Sequence, residues 1–142
     1  HSELEQMIRS SRTEGFGPEV QRRILLGTFA LSEGYAGDFY ERADSVRDQM
    51  RQELCEALQT VDALATPTCP STAFKLGERT SDPVSMYLSD VFTTPPSLTG
   101  LPAISVPAGL VDGLPVGLQL VGRMEDEATI LAIGAAVEED CP

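Results

Sequence analysis

Histidine and lysine are nearly missing from this chain of 142 residues: the one histidine is His1 and the one lysine is Lys75. The first scarcity excludes a serine–histidine–aspartate triad, because the sole imidazole sits at the terminus. No GxSxG elbow, GxGxxG or Walker pattern occurs; "EGFGPE" holds two of the glycines and nothing more. Cysteine is sparse too. Cys55, Cys69 and Cys141 are odd in number and far apart, with no CxxC pair and no Cys/His metal spacing. A disulfide framework is therefore not expected, a reducing, cytoplasmic setting is, and Cys55 reads as an apolar residue on a helix. Basic residues number 10 against 22 acidic ones, for a net charge of −12. Such a surface repels phosphate backbones and anionic membranes, so direct contact with either is not expected. Long apolar runs are lacking as well. The uncharged stretch 93–111 is interrupted by prolines, glycines and hydroxyls, which excludes a membrane-spanning helix there. The start, "HSELEQMIRSS", has neither the basic residues nor the apolar run of a signal peptide.

What is present suits a folded domain. Apolar residues make up 42% of the chain, and its length suffices to bury a core without staples. Residues 2–10 read as a short helix. "RTEGFGPEV" is a glycine-rich turn leading to a helix over 18–33, with Pro18 in the first turn, Glu19 at the positive end of the dipole, and Gly34 as the stop. Asp38 reads as the cap of the next helix, with Glu41 three residues on. Phe39, Ala43, Val46, Met50, Leu54, Ala57 and Leu58 give it an apolar stripe. Ala63 to Ala65 predict a short strand ended by Pro67 and Pro70, and 71–82 a polar loop. Asp82 and Pro83 predict a helix through about 91. "AISVPAG" and "PVGLQLVG" predict two strands of an antiparallel hairpin with a loop longer than two residues. Their continuous apolarity predicts helices over both faces, and Gly117 a bulge or a close approach of chain segments. "DEATILAIGAAVEE" closes the chain as a helix.

The chemistry-bearing residues are few. Lys75 lies in the polar loop and reads as a solvated surface lysine, and Glu138, Glu139 and Asp140 as a solvated helix end. Arg22 and Arg23 point about 100° apart on their helix, so one of them faces nearer its apolar side. Asp90 stands among Tyr87, Leu88, Val91 and Phe92. Two readings stay open for these charges. They are solvated or salt-bridged, or they form a clamp for a zwitterion, in which arginine takes a carboxylate by its planar fork and aspartate takes an ammonium.

Four segments carry a resemblance: "RTEGFGPEVQRRILLGTFALSEGY", "TPTCPSTAFKLGE", "DPVSMYLSDVFTTPPSLTGLPAISVPAG" and "GLPVGLQLVGRMEDEATIL". Together they resemble the C-terminal part of the amidase signature family, in its branch of glutamine-hydrolysing A subunits of tRNA-dependent amidotransferases. The resemblance implies an α/β class: residues 1–142 as a single partial domain of an α/β/α sandwich around a mixed sheet. It implies glutamine hydrolysis by a serine, assisted by a second serine with a cis peptide bond and by a lysine, none of which has a match in this chain. By the same resemblance Arg23 receives the glutamine α-carboxylate and Asp90 its α-ammonium, while Lys75 is not the catalytic lysine. The implied partners are subunits B and C, together with the upstream catalytic half of the same subunit. ATP and magnesium are expected in the partner subunit, with no cofactor in this chain. The isolated chain is expected to be inactive and to self-associate. Two departures bear on substrate fit: Pro96-Ser97 stands where the family often has Ala-Asn, and Ala108 where it often has cysteine. Two alternatives remain beside this reading: a non-catalytic amino-acid-binding or subunit-interaction module derived from an amidase, and a fragment of a broader-specificity amidase.

Overall fold

A computed structural model describes residues 2–32, 36–78 and 83–141. It divides into two compact units, His1–Val46 and Arg47–Pro142.

The first unit is helical. α1 (Ser2–Gly15) runs past the expected 2–10, with Glu3 and Glu5 at its positive end and Arg12 at its negative end. It stops at Phe16 and Gly17, and Pro18 opens α2 (Pro18–Ala30), where its missing N–H leaves no hydrogen bond unmade. The Gln21 side chain donates to the carbonyls of Phe16 (2.8 Å) and Thr13 (3.3 Å), so it serves the last turn of α1. α2 ends three residues before the expected 33. There Leu31 N–H bonds to Gly27 C=O, and the Ser32 hydroxyl takes up the Phe29 carbonyl. Gly34, the expected stop, lies outside the described residues. α3 (Ala36–Ala57) begins two residues before Asp38, which therefore sits inside the helix rather than capping it. No residue of α1 or α2 is buried, and Leu4, Met7, Leu25, Leu26 and Leu31 are all more than half exposed.

The second unit begins with the end of α3 and holds a three-stranded sheet. β1 (Leu64–Pro67), β2 (Ala103–Val111) and β3 (Leu114–Val121) lie in the order β1-β3-β2, antiparallel throughout. The α/β class is borne out; within these three strands there is no parallel pairing. Prolines 67 and 107 fall on the two outer strands, where a missing N–H is tolerated. The hairpin differs from expectation. β2 runs on to Val111 and β3 starts at Leu114, leaving only Asp112 (φ 52°) and Gly113 (φ 77°) between them. Two consecutive positive φ values are those of a type I′ turn, which matches the strand twist. The bulge sits on β2: Pro107 and Leu110 face Gly117 and Pro115, so two residues of β2 oppose Val116 alone. Gly117 supplies the other expected feature, a close approach. A Cβ there would lie 2.7 Å from both the Ser105 Oγ and the Thr68 Oγ1.

Two short helices precede the hairpin. α4 (Pro83–Leu88) stops before the expected 91, giving way to turns in which Ser89, Asp90 and Val91 N–H groups bond three residues back. Asp82, its expected cap, lies outside the described residues. α5 (Thr94–Thr99) was not expected, because Pro95 and Pro96 read as breakers; both occupy the first turn, where proline is compatible with a helix. It ends at Gly100, left-handed with φ 72°.

α6 (Glu127–Asp140) packs on one sheet face, mainly against β2. Gly134 lets it settle on Ile104 and Val106, and Ile130, 1% exposed, fills the space above Gly122. The opposite face is closed at one end by Leu58, Leu101 and Val121, with Leu54, Cys55 and Leu64 packed around them. Cys55 thus joins this apolar cluster, half-buried. At the other end the expectation of helices over both faces fails: Ser105, Pro107 and Leu110 are exposed. Arg123 ties the end of β3 to the α3–β1 connection. Its guanidinium donates to the carbonyls of Leu58 (3.0 Å) and Val61 (2.9 Å) and pairs with Asp62 at 3.3 Å.

Gly122→Ala is expected to lower stability by about 1–3 kcal/mol in urea unfolding, because its Cβ would fall 2.5 Å from the buried Ile130 Cγ2. The exposed apolar side chains of α1 and α2 are expected to bind an apolar fluorescent dye and to make the chain self-associate with concentration in light scattering.

Candidate functional site

Arg23 and Asp90 belong to different compact units, and each has its own setting. Arg23 projects from α2 one turn beyond Glu19. Its Nε lies 3.0 Å from Glu19 Oε1, and the Arg22 Nη2 lies 2.9 Å from Glu19 Oε2. The i,i+3 and i,i+4 spacings bring both guanidinium groups to one carboxylate. No residue of α2 is buried, and both arginines are open as well: the Arg23 side chain is 63% exposed and that of Arg22 is 46% exposed. Ion pairs this exposed add little stability, about 0–1 kcal/mol.

Asp90 sits in the turn between α4 and α5. The apolar surroundings suggested by its neighbours in sequence do not form, since Tyr87, Leu88 and Val91 are all exposed, as is Asp90 itself. Helix α4 is too short to bury a face. The backbone at Asp90 is well tied: its N–H donates to Tyr87 C=O (3.2 Å), and its carbonyl accepts from the Thr94 N–H (3.0 Å) and the Thr93 hydroxyl (3.4 Å). Its carboxylate makes no hydrogen bond or ion pair among the described residues. An exposed anion on a fixed backbone is suited to receiving a cationic group.

Beside this turn, the uncovered sheet face carries a polar strip. Thr66, Gln119 and Ser105 stand side by side across β1, β3 and β2. Gln119, 5% exposed, donates through Nε2 to the Phe92 carbonyl (2.8 Å) and to Thr66 Oγ1 (3.1 Å). The hydroxyls of Thr68 and Ser105 bond to each other over Gly117. A cavity of about 290 Å³ opens here between α5 and the sheet, lined by hydroxyls of Thr68, Thr93, Ser97 and Ser105 and the Gln119 amide, with no titratable side chain. Pro96 and Ser97, one of the two departures, form part of this wall. Ala108, the other, lines a separate groove of about 620 Å³ with Pro67, Cys69, Thr72 and Val116. Hydroxyls without a base at hand can bind and orient but not attack. Lys75 stays in the exposed loop, where its N–H meets Glu78. Among the described residues no three histidine, cysteine, aspartate or glutamate side chains gather as a metal ion requires.

Sequence reasoning passed over Gln119, Ser105 and Thr68. The signal was there: one serine and one glutamine inside otherwise apolar strands, each at a position that faces away from α6.

The amidase family model matches residues 1–131. The A chain of the glutamyl-tRNA(Gln) amidotransferase of Pelagibacter ubique is 54% identical over 94% of this chain, and that of an Exiguobacterium species is 51% identical over 96%. The chain spans 28% of the length of each. Among solved structures, the corresponding polypeptide of the Thermotoga maritima amidotransferase is 47% identical with a TM-score of 0.73, over 94% of this chain and 30% of that one. A crystal structure of an amidase is 34% identical with a TM-score of 0.76, over 97% and 32%. The similarity falls on the C-terminal portion of the amidotransferase polypeptides. A match of this extent, on a fold shared with solved amidases, means that the chain belongs to the amidase family.

Proposed function

We propose that this chain is the C-terminal part of the glutamine-hydrolysing polypeptide of a tRNA-dependent amidotransferase, and that it orients glutamine for hydrolysis. The observation that carries the reading is its identity of 54% and 51% with curated amidotransferase polypeptides, over nearly the whole chain. In the whole enzyme the γ-amide C–N bond of glutamine breaks, water supplies the new carboxylate oxygen, and ammonia leaves. A partner subunit, supplied with ATP and magnesium, uses that ammonia to convert Glu-tRNA(Gln) to Gln-tRNA(Gln). The serine pair and the lysine of the reaction belong to the upstream part, which this chain would meet across its exposed helix and sheet surfaces. Subunits B and C complete the complex, whose location on this reading is cytoplasmic.

Within this reading Arg23 takes the α-carboxylate through its fork and Asp90 takes the α-ammonium. The Arg23 side chain is 63% exposed beside Glu19, and Asp90 is exposed on its turn. Binding both charges of the amino acid would orient it and restrict where its γ-amide extends. Such orientation lowers the barrier by replacing translational and rotational freedom. The clamp alone hydrolyses nothing, since no activated nucleophile accompanies it.

Two measurements test the reading. The purified 142-residue chain is expected to release no ammonia from glutamine; turnover by that chain, free of other amidases, would overturn the assignment of the nucleophile to another segment. In the whole subunit, Arg23→Ala is expected to raise KM for glutamine roughly 10- to 100-fold, the worth of a charge-assisted hydrogen bond. It is expected to leave KM for 4-aminobutanamide, which is glutamine without its α-carboxylate, unchanged. Equal effects on both substrates would remove Arg23 from the site.

A further inference from the structure

Asp90 depends on its backbone for its position, because its carboxylate has no partner among the described residues. The hydrogen bonds at Asp90 itself, to Tyr87, Thr93 and Thr94, reach no further than four residues along the chain. They give the turn its shape but do not fix it against the rest of the unit. A bond that does so arrives two residues on, at Phe92, whose carbonyl accepts from Gln119 Nε2 at 2.8 Å. Two residues of chain span at most about 7 Å, so an anchor at Phe92 confines Asp90 closely.

Gln119 is built for that purpose. It lies on the central strand β3, between Thr66 of β1 and Ser105 of β2, and is 5% exposed. Its amide nitrogen is used twice, towards Phe92 and towards Thr66 Oγ1 at 3.1 Å. An amide group has two N–H donors, so a flip or withdrawal of this side chain would break both bonds at once in a site nearly closed to water. The sheet therefore sets the angle of Gln119, and Gln119 ties the turn to the sheet.

We propose that Gln119 is a positioning residue for Asp90, coupling the centre of the sheet to the group that receives the substrate ammonium. This rests on the reading of Asp90 given above. The test uses the whole subunit in its complex, with glutamine and with 4-carbamoylbutanoate, which is glutamine without its α-amino group. Gln119→Met keeps the length of the side chain and removes both donors. It is expected to raise KM for glutamine about tenfold while kcat, and KM for 4-carbamoylbutanoate, stay within about twofold. Thr66→Val, which removes only the second bond of Gln119, is expected to shift the same ratio in the same direction by less. Added to Asp90→Asn, Gln119→Met is expected to cause no further loss on glutamine. Equal losses on the two substrates, or additive losses in the double variant, would show a general structural role and overturn the proposal; so would an unchanged KM for glutamine in an assembled Gln119→Met complex. If Gln119→Met does not assemble, Thr66→Val decides by the same ratio. If Asp90→Asn by itself treats the two substrates alike, it is the ammonium role of Asp90 that fails, and the positioning role falls with it.

Discussion

The second unit depends on how closely α6 can approach the β2–β3 hairpin. Gly134 on the helix and Gly122 at the end of β3 present hydrogen where any other residue would present carbon, and Ile104, Val106 and Ile130 occupy the space released. That contact buries part of one face of the sheet, at Val106 and Leu120, and fixes which strand residues point away from it. Alternation along a strand does the rest. Once Ile104, Val106 and Leu120 face α6, Ser105 and Gln119 must face the other side, and the polar strip is a consequence of the apolar contact behind it.

The two faces differ in how much this chain supplies. Under α6 the sheet is closed at Val106 and Leu120, and towards the hairpin tip and β1 the same face stays open in the groove that holds Ala108. On the other face Leu58, Leu101 and Val121 close one end, Arg123 holds the neighbouring connection by two carbonyls, and the remainder carries hydroxyls beside a cavity. In the first unit the apolar side chains of α1 and α2 are exposed along their length. A chain that covers 28% of its curated relatives and leaves this much apolar surface uncovered is consistent with the proposed role as one part of a larger polypeptide.

The proposed clamp uses the same economy of means. Neither Arg23 nor Asp90 is buried, so neither carries a large desolvation penalty in this chain. Arg23 rests against Glu19, and Asp90 rests on a turn tied to the sheet through Phe92. Charges that are exposed before the substrate arrives gain strength when a site closes around them, because screening by water falls. On this reading the chain contributes orientation, and the enclosure and the nucleophile come from elsewhere in the enzyme.

Local chemistry alone determined a good deal. Pro18 and Glu19 start α2, the 3.6-residue stripe from Phe39 to Leu58 makes α3, and β-branched runs on either side of Asp112-Gly113 make the hairpin, because backbone preference and side-chain period act within a few residues. The resemblance that led to the family was legible in the same segments. Tertiary structure decided the rest. That Asp112 and Gly113 form the whole turn followed from how far the strands stay paired, and the helix through Pro95-Pro96 from where the chain must turn before β2. The exposure of Asp90 could not be read from its apolar neighbours, since burial depends on what packs against a segment and not on its composition. The contact of Gln119 with Phe92 joins residues 27 apart in the chain, and no local rule relates them; the sheet register and the turn before α5 brought them together.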